Sequence, residues 1–200
     1  MARRTITTRP VEVIDTGRLT EFQYDDGEND ETLVCAGHGG AVEPGTAEAA
    51  IELATGRPEA TCWATLGYDA EVSAFDRWHP PSTAISPDEY PLLEEIADRE
   101  FETVLSLHGL AEERVIVGGG IDAGVKRRVA ERLEGTFPVP VTTASEGEYA
   151  GIHPDNFVNW LAEGDGGLQL ELGPSVRDEH PVELRTVLDA LLESELRRSG

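Results

Sequence analysis

Short apolar runs closed by glycine, each followed by a segment with helical spacing, frame what this chain can fold into. Thr32–Ala36 reads as a buried strand stopped by Gly37. A helix through Ala47–Thr55 follows, with Thr46 as N-cap and Gly56 ending it. Ala60–Leu66 is strand-like again, and residues 67–91 read as an extended surface segment with a helix starting near Pro87. That helix runs on through Leu92, Leu93, Ile96 and Phe101 into a strand, Thr103–Leu107, which ends on His108-Gly109. Arg114–Val117 forms a short strand closed by Gly118-Gly119-Gly120, and Val125–Leu133 a helix. Val139–Thr142 is a further strand, Gly167–Leu172 alternates, and Glu179–Arg198 is an amphipathic terminal helix. Strands alternating with helices predict an α/β domain whose mixed, mostly parallel sheet is covered on both faces.

The 200 residues suit one domain. Residues 1–31 are polar and end in the acidic stretch Asp25–Glu31, so a loop or frayed segment is expected ahead of a single domain over 32–200. No apolar run approaches the ~20 residues that span a bilayer, and no apolar segment follows the basic start, so the expected address is the cytoplasm. Acids number 39 against 16 bases, of which Lys126 is the one lysine, and the net charge is −23. Solvated carboxylates in such excess repel one another until salt shortens the Debye length, a pattern that suits a halophilic cytoplasm. Nucleic acid is excluded as a partner for want of a basic face, and a monomer is the default. Cys35 and Cys62 stand too far apart for a zinc knuckle or a redox pair and read as small buried strand residues.

Ligand sites in α/β sheets lie beyond the carboxyl ends of the strands. His38 follows the strand 32–36, Glu43 lies in the same glycine-rich loop, and His108 closes the strand 103–107. Two imidazoles and a carboxylate with an open fourth position are the ligand set of a catalytic zinc site. Single His-Gly pairs at strand ends more often serve as hydrogen-bonded loop residues, so it is the trio that carries the reading. In Leu168–Leu172 the leucines point one way and Gln169 and Glu171 the other, which presents Glu171 as a base or leaves it on a solvated face. The triple glycine 118–120 before a helix is a weak hint of a phosphate cradle.

The stretch His38-Gly39-Gly40-Ala41-Val42-Glu43-Pro44-Gly45-Thr46-Ala47-Glu48 resembles the opening motif of the phage and bacterial poly-γ-glutamate hydrolases. Ser106-Leu107-His108-Gly109, Val117-Gly118-Gly119, Asn156, Asn159, Gln169-Leu170-Glu171-Leu172 and Arg177 follow in that family's order. The resemblance implies a carboxypeptidase-like, three-layer α/β/α fold and one zinc ion. It implies His38, Glu43 and His108 as ligands, Glu171 as general base, and Arg177 as partner of an oxyanion or substrate carboxylate. Asn156 and Asn159 are its candidates for substrate binding. Two positions where the family often carries arginine hold Gly120 and Trp160, so two guanidinium clamps for α-carboxylates are missing. A zinc amidase or deacylase acting on another small amide, a non-catalytic binding module, and a phage accessory protein are the rival expectations.

Overall fold

The computed structural model describes residues 4–25, 27 and 30–196. Within the stretches read above, residues 1–3, Asp26, Glu28, Asn29 and the last two positions of the expected terminal helix lie outside them. Among the described residues the strands are β1 (Thr5–Val13), β2 (Gly17–Asp25), β3 (Thr32–Gly40), β4 (Ala60–Asp69), β5 (Thr103–Gly109), β6 (Val115–Gly118), β7 (Val141–Thr143) and β8 (Leu168–Leu172). They form one mixed sheet in the order β1-β2-β4-β3-β5-β8-β6-β7. The neighbours β4, β3, β5 and β8 run parallel, while β2 and β6 pair antiparallel to β4 and β8.

Helices α1 (Thr46–Thr55), α4 (Ala123–Glu134) and α7 (Pro181–Ser194) cover one face through Leu53, Val129, Leu133, Leu188 and Leu191. The other face packs Trp63, Phe101 and Phe157 under α2 (Ala74–Trp78), α3 (Pro91–Glu94) and α5 (Phe157–Trp160). The short α6 (Pro174–Asp178) leads into α7. This is the expected three-layer α/β architecture. The parallel strands read as near-continuous buried runs because both of their faces are covered.

Four local expectations need correction. The N-terminal segment is not a loop: β1 and β2 form an antiparallel hairpin that extends the sheet. Its pattern was hidden because the buried positions of β2 carry Glu21 and Gln23 beside Leu19. Glu21 accepts from Trp63 Nε1 at 2.9 Å and from the backbone N–H of Leu92 and Leu93 at 3.1 and 3.0 Å, while Gln23 donates to Leu92 O at 2.8 Å. The helix expected near Pro87–Phe101 is helical only over α3. The i to i+3 bonds from Ile96 N to Leu93 O and from Arg99 N to Ile96 O continue it as tight turns. Thr46 does not cap α1, since Gly45 holds the N-cap in the left-handed region at φ 87° and the Thr46 hydroxyl donates to Glu43 O at 2.8 Å. The terminal helix starts at Pro181, which sits in its first turn where a missing N–H costs nothing.

Candidate metal centre

β3 irregularly slips its register against β4 between Ala36 and Gly39, just where His38 sits. A side chain at position 39 would meet Thr65 O at 2.5 Å, and Gly40 adopts φ 72°, so only glycine permits this bend. The chain then turns back on itself, with Glu43 N donating to His38 O at 2.8 Å. Glu43 is thereby brought beside the imidazole five residues before it. His108 stands near the end of β5, the neighbouring strand, and faces Glu171 as its register partner on β8. The sequence signal for His38, Glu43 and His108 thus ends in one place: a ligand atom from each lies within 4.8 Å of the others, and all three side chains are buried.

The imidazoles are held so that the same nitrogen of each faces inward. His38 Nε2 lies 2.8 Å from Pro80 O, a pure acceptor, so Nε2 carries the proton and Nδ1 keeps its lone pair. His108 Nε2 meets Ser106 Oγ at 3.0 Å, which leaves His108 Nδ1 on the inner side. The two Nδ1 atoms are 3.2 Å apart, and each lies 3.5 Å from a carboxylate oxygen of Glu43. Glu43 Oε2 is buried without a hydrogen-bond partner among the described residues. Two inward nitrogens and an orphaned carboxylate oxygen in one buried spot are costly to leave together and suit a divalent cation. The donor set fits the expected metal.

Electrostatics follow from this crowding. Burial pushes His38 below its ordinary pKa, toward the neutral form a ligand needs. For His108 burial acts the same way, but the charges of Glu171 and Glu43 outweigh it and carry the pKa up to about 9. Burial opposes charge on Glu43, yet the imidazoles of His108, His38 and His79 packed around it hold its carboxyl well below the usual carboxylate range. Glu171 is raised, chiefly by burial and secondarily by the charge of Glu43, against the opposing pull of His108. Burial also pushes both cysteine thiols upward, which removes them as nucleophiles.

A cleft of about 940 Å³ opens over the cluster and is lined by His38, Glu43, His108 and Glu171 among others. Gln169 Nε2 donates to Glu171 Oε1 at 2.6 Å, and Asn156 Nδ2 donates to Gln169 Oε1 at 3.2 Å. Asn156 therefore reaches the site and orients Glu171 through Gln169. Asn159 sits outside the cleft lining, its amide taken by Gly151 O (2.7 Å), His153 O (2.8 Å) and Gly120 N (2.9 Å). Arg177 lies behind Gly109, with its guanidinium donating to Pro44 O and Leu110 O, so it ties the loop carrying Glu43 to the end of β5. The triple glycine is no phosphate cradle: Gly119 N and Gly120 N donate to Ala150 O and Asn159 Oδ1. A side chain at position 120 would meet Asp165 O at 2.6 Å, so the arginine missing there has no room.

Sequence reasoning did not assign three residues that the structure brings in. His79 Nε2 lies 3.0 Å from Glu43 Oε1, Ser106 bonds His108, and Gln169 bonds Glu171. Ser106 and Gln169 each stand two residues before the group they hold, on the same strand face, and that period was readable. His79 is brought from the end of a short, distant helix, where no strand period points to it.

A parallel-centred α/β sheet with two imidazoles and a carboxylate at its strand ends, and a further buried carboxylate alongside, defines a metallohydrolase-type centre. The model of the poly-gamma-glutamate hydrolase family matches residues 15–185, and the chain belongs to that family. Zinc-free YNDL superposes with a TM-score of 0.72 at 26% identity over 88% of this chain and 90% of that one. A bacteriophage poly-gamma-glutamate hydrolase shares the fold at a TM-score of 0.73 and 17% identity, over 92% and 91% of the two chains. A metallo-carboxypeptidase from Burkholderia cenocepacia shares it at 0.53 and 12%, over 96% of this chain and 63% of that one. No match arose among curated proteins.

Proposed function

We propose that this chain hydrolyses γ-glutamyl amide bonds, poly-γ-glutamate being the substrate its family implies, with one zinc ion held by His38 Nδ1, Glu43 and His108 Nδ1. The observation that carries the reading is the buried trio of donors, with its orphaned carboxylate oxygen, beside Glu171. When bound, the ion supplies a Lewis acid for the scissile carbonyl and lowers the pKa of water toward ~7. Glu171 takes the proton of the attacking water and returns it to the leaving nitrogen. Gln169 occupies Oε1 and so leaves Oε2 as the proton-accepting oxygen, and Asn156 fixes Gln169 in turn. The raised pKa of Glu171 suits a group that must both accept and release a proton near neutrality. Arg177, bonded to two backbone carbonyls, serves here by fixing the Glu43 loop.

Hydrolysis of γ-linked polyglutamate by the zinc-loaded chain, lost on zinc removal and restored by zinc alone, is the expected result. Cleavage of α-linked peptides or acetylated amines, with γ-linked chains untouched, would overturn the substrate and keep the chemistry. One observation favours a second reading, an amide lacking carboxylates. Among the described residues lining the cleft there is no arginine or lysine, while Glu112, Glu146 and Glu148 are present. A simple amide without any carboxylate cleaved faster than the polyanion in both dilute and molar salt would favour it.

A further inference from the structure

α2 ends in Trp78-His79-Pro80, and this corner reaches two of the three ligands at once. Pro80 O accepts from His38 Nε2 at 2.8 Å, and His79 Nε2 meets Glu43 Oε1 at 3.0 Å. Its place is fixed from behind by Trp78, buried against Gly67 of β4, where an added side chain would meet Trp78 Cβ at 3.0 Å. The His79 ring stacks on Phe75 and lies tilted against His38, with centroids 4.0 and 4.2 Å apart, so His79 has little freedom to turn away.

A carboxylate at a metal can offer either oxygen or both, and an unconstrained one loses entropy on choosing. Here one oxygen is tied by an N–H donor and the other has no partner. We propose that His79 is a positioning residue of the metal centre: its Nε2–H holds Glu43 Oε1 and presents Oε2 to the ion. This rests on the metal-binding reading above and adds to it a third histidine that is not a ligand. Phe75 acts with it by covering the outer face of the ring.

The test is zinc affinity of the full chain, stripped of metal and titrated against a competing chelator, for the wild type and His79→Leu, His79→Asn and His79→Gln. Glutamine places its side-chain N–H where histidine Nε2 lies, whereas asparagine is too short and leucine has no donor. His79→Leu and His79→Asn should each weaken zinc binding by ~10–100-fold, with His79→Gln close to wild type. The thermal midpoint of each metal-free protein is measured on the same samples, and a merely structural role would lower it without the glutamine rescue of affinity. If leucine prevents folding, the asparagine and glutamine pair still decides. Wild-type affinity in His79→Asn would overturn the proposal, including when KM for substrate rises, since that would make His79 a substrate contact. A wild-type chain that binds no zinc would overturn both the metal reading and this one, whereas unchanged affinity in the variants overturns this one alone.

Discussion

Two buried carboxylates in this molecule, Glu21 and Glu43, have opposite surroundings. Glu21 is fully buried beneath the outer strands, where the indole N–H of Trp63 and two backbone N–H groups at the start of α3 satisfy it. Glu43 is almost as buried, yet its Oε2 has no donor among the described residues and lies 3.5 Å from His108 Nδ1. Both cost desolvation, but the first has donors on both oxygens, whereas the imidazoles around Glu43 stabilise its charge and leave one oxygen without a donor. The difference separates a carboxylate that builds the fold from one that awaits a cation.

The largest expected effect breaks this comparison most sharply. Glu43→Gln should abolish tight zinc binding and activity while the chain still folds, with only a modest loss of metal-free stability at neutral pH, because the folded state holds the Glu43 carboxylate ionised among the imidazoles. Glu21→Gln should do the reverse. It sets an amide N–H against existing donors, so unfolding in denaturant should show a loss of about 2–3 kcal/mol with zinc affinity of the folded protein unchanged. A Glu21 variant that loses zinc, or a Glu43 variant that unfolds, would erase the distinction.

Next in size is Glu171→Gln, which keeps shape and should keep zinc while lowering turnover by ~10²–10⁴. Zinc loss in that variant would make Glu171 a ligand, and near-normal turnover a spectator. In the wild type the acid limb of the rate profile should lie above the ordinary carboxylate pKa, since Glu171 must be deprotonated to act and its pKa is raised.

A third expectation concerns protons. His108, at about 9, is protonated at neutral pH without metal, and a ligand must be neutral. Zinc affinity should therefore weaken as pH falls below about 9, with roughly one proton released per ion at pH 7. Calorimetry in buffers of different ionisation enthalpy measures that release, and none would contradict the protonation assigned to His108.

The fold was legible where both sheet faces are covered, because β3, β5 and β8 then show as unbroken apolar or alternating runs. It was not legible in β2, where a buried face made of Leu19, Glu21 and Gln23 is indistinguishable in sequence from a solvated one. The same logic governs the site. His38, His108 and Glu171 sit near strand ends, positions that periodicity finds, and Glu43 lies in the glycine-rich loop that follows the first of them. His79 lies at the end of a five-residue helix, and only the packing of Trp78 and the ring stack bring it inward. Arg177 shows the converse, since a guanidinium suited to a carboxylate proves bound to backbone carbonyls.

The smallest expected effect is a matter of salt. With a net charge of −23, screening from a Debye length of ~10 Å to ~3 Å between 0.1 and 1 M should raise the melting temperature. A flat or falling curve would remove the halophile reading and leave the site untouched.

The central claim is that His38, Glu43 and His108 form one metal site, and metal stoichiometry tests it most directly. Elemental analysis of the purified chain titrated with zinc should give close to one ion per chain at tight affinity. His38→Ala and His108→Ala should each abolish that tight binding, because two remaining donors cannot hold the ion against water. Full zinc occupancy in both variants would contradict the account.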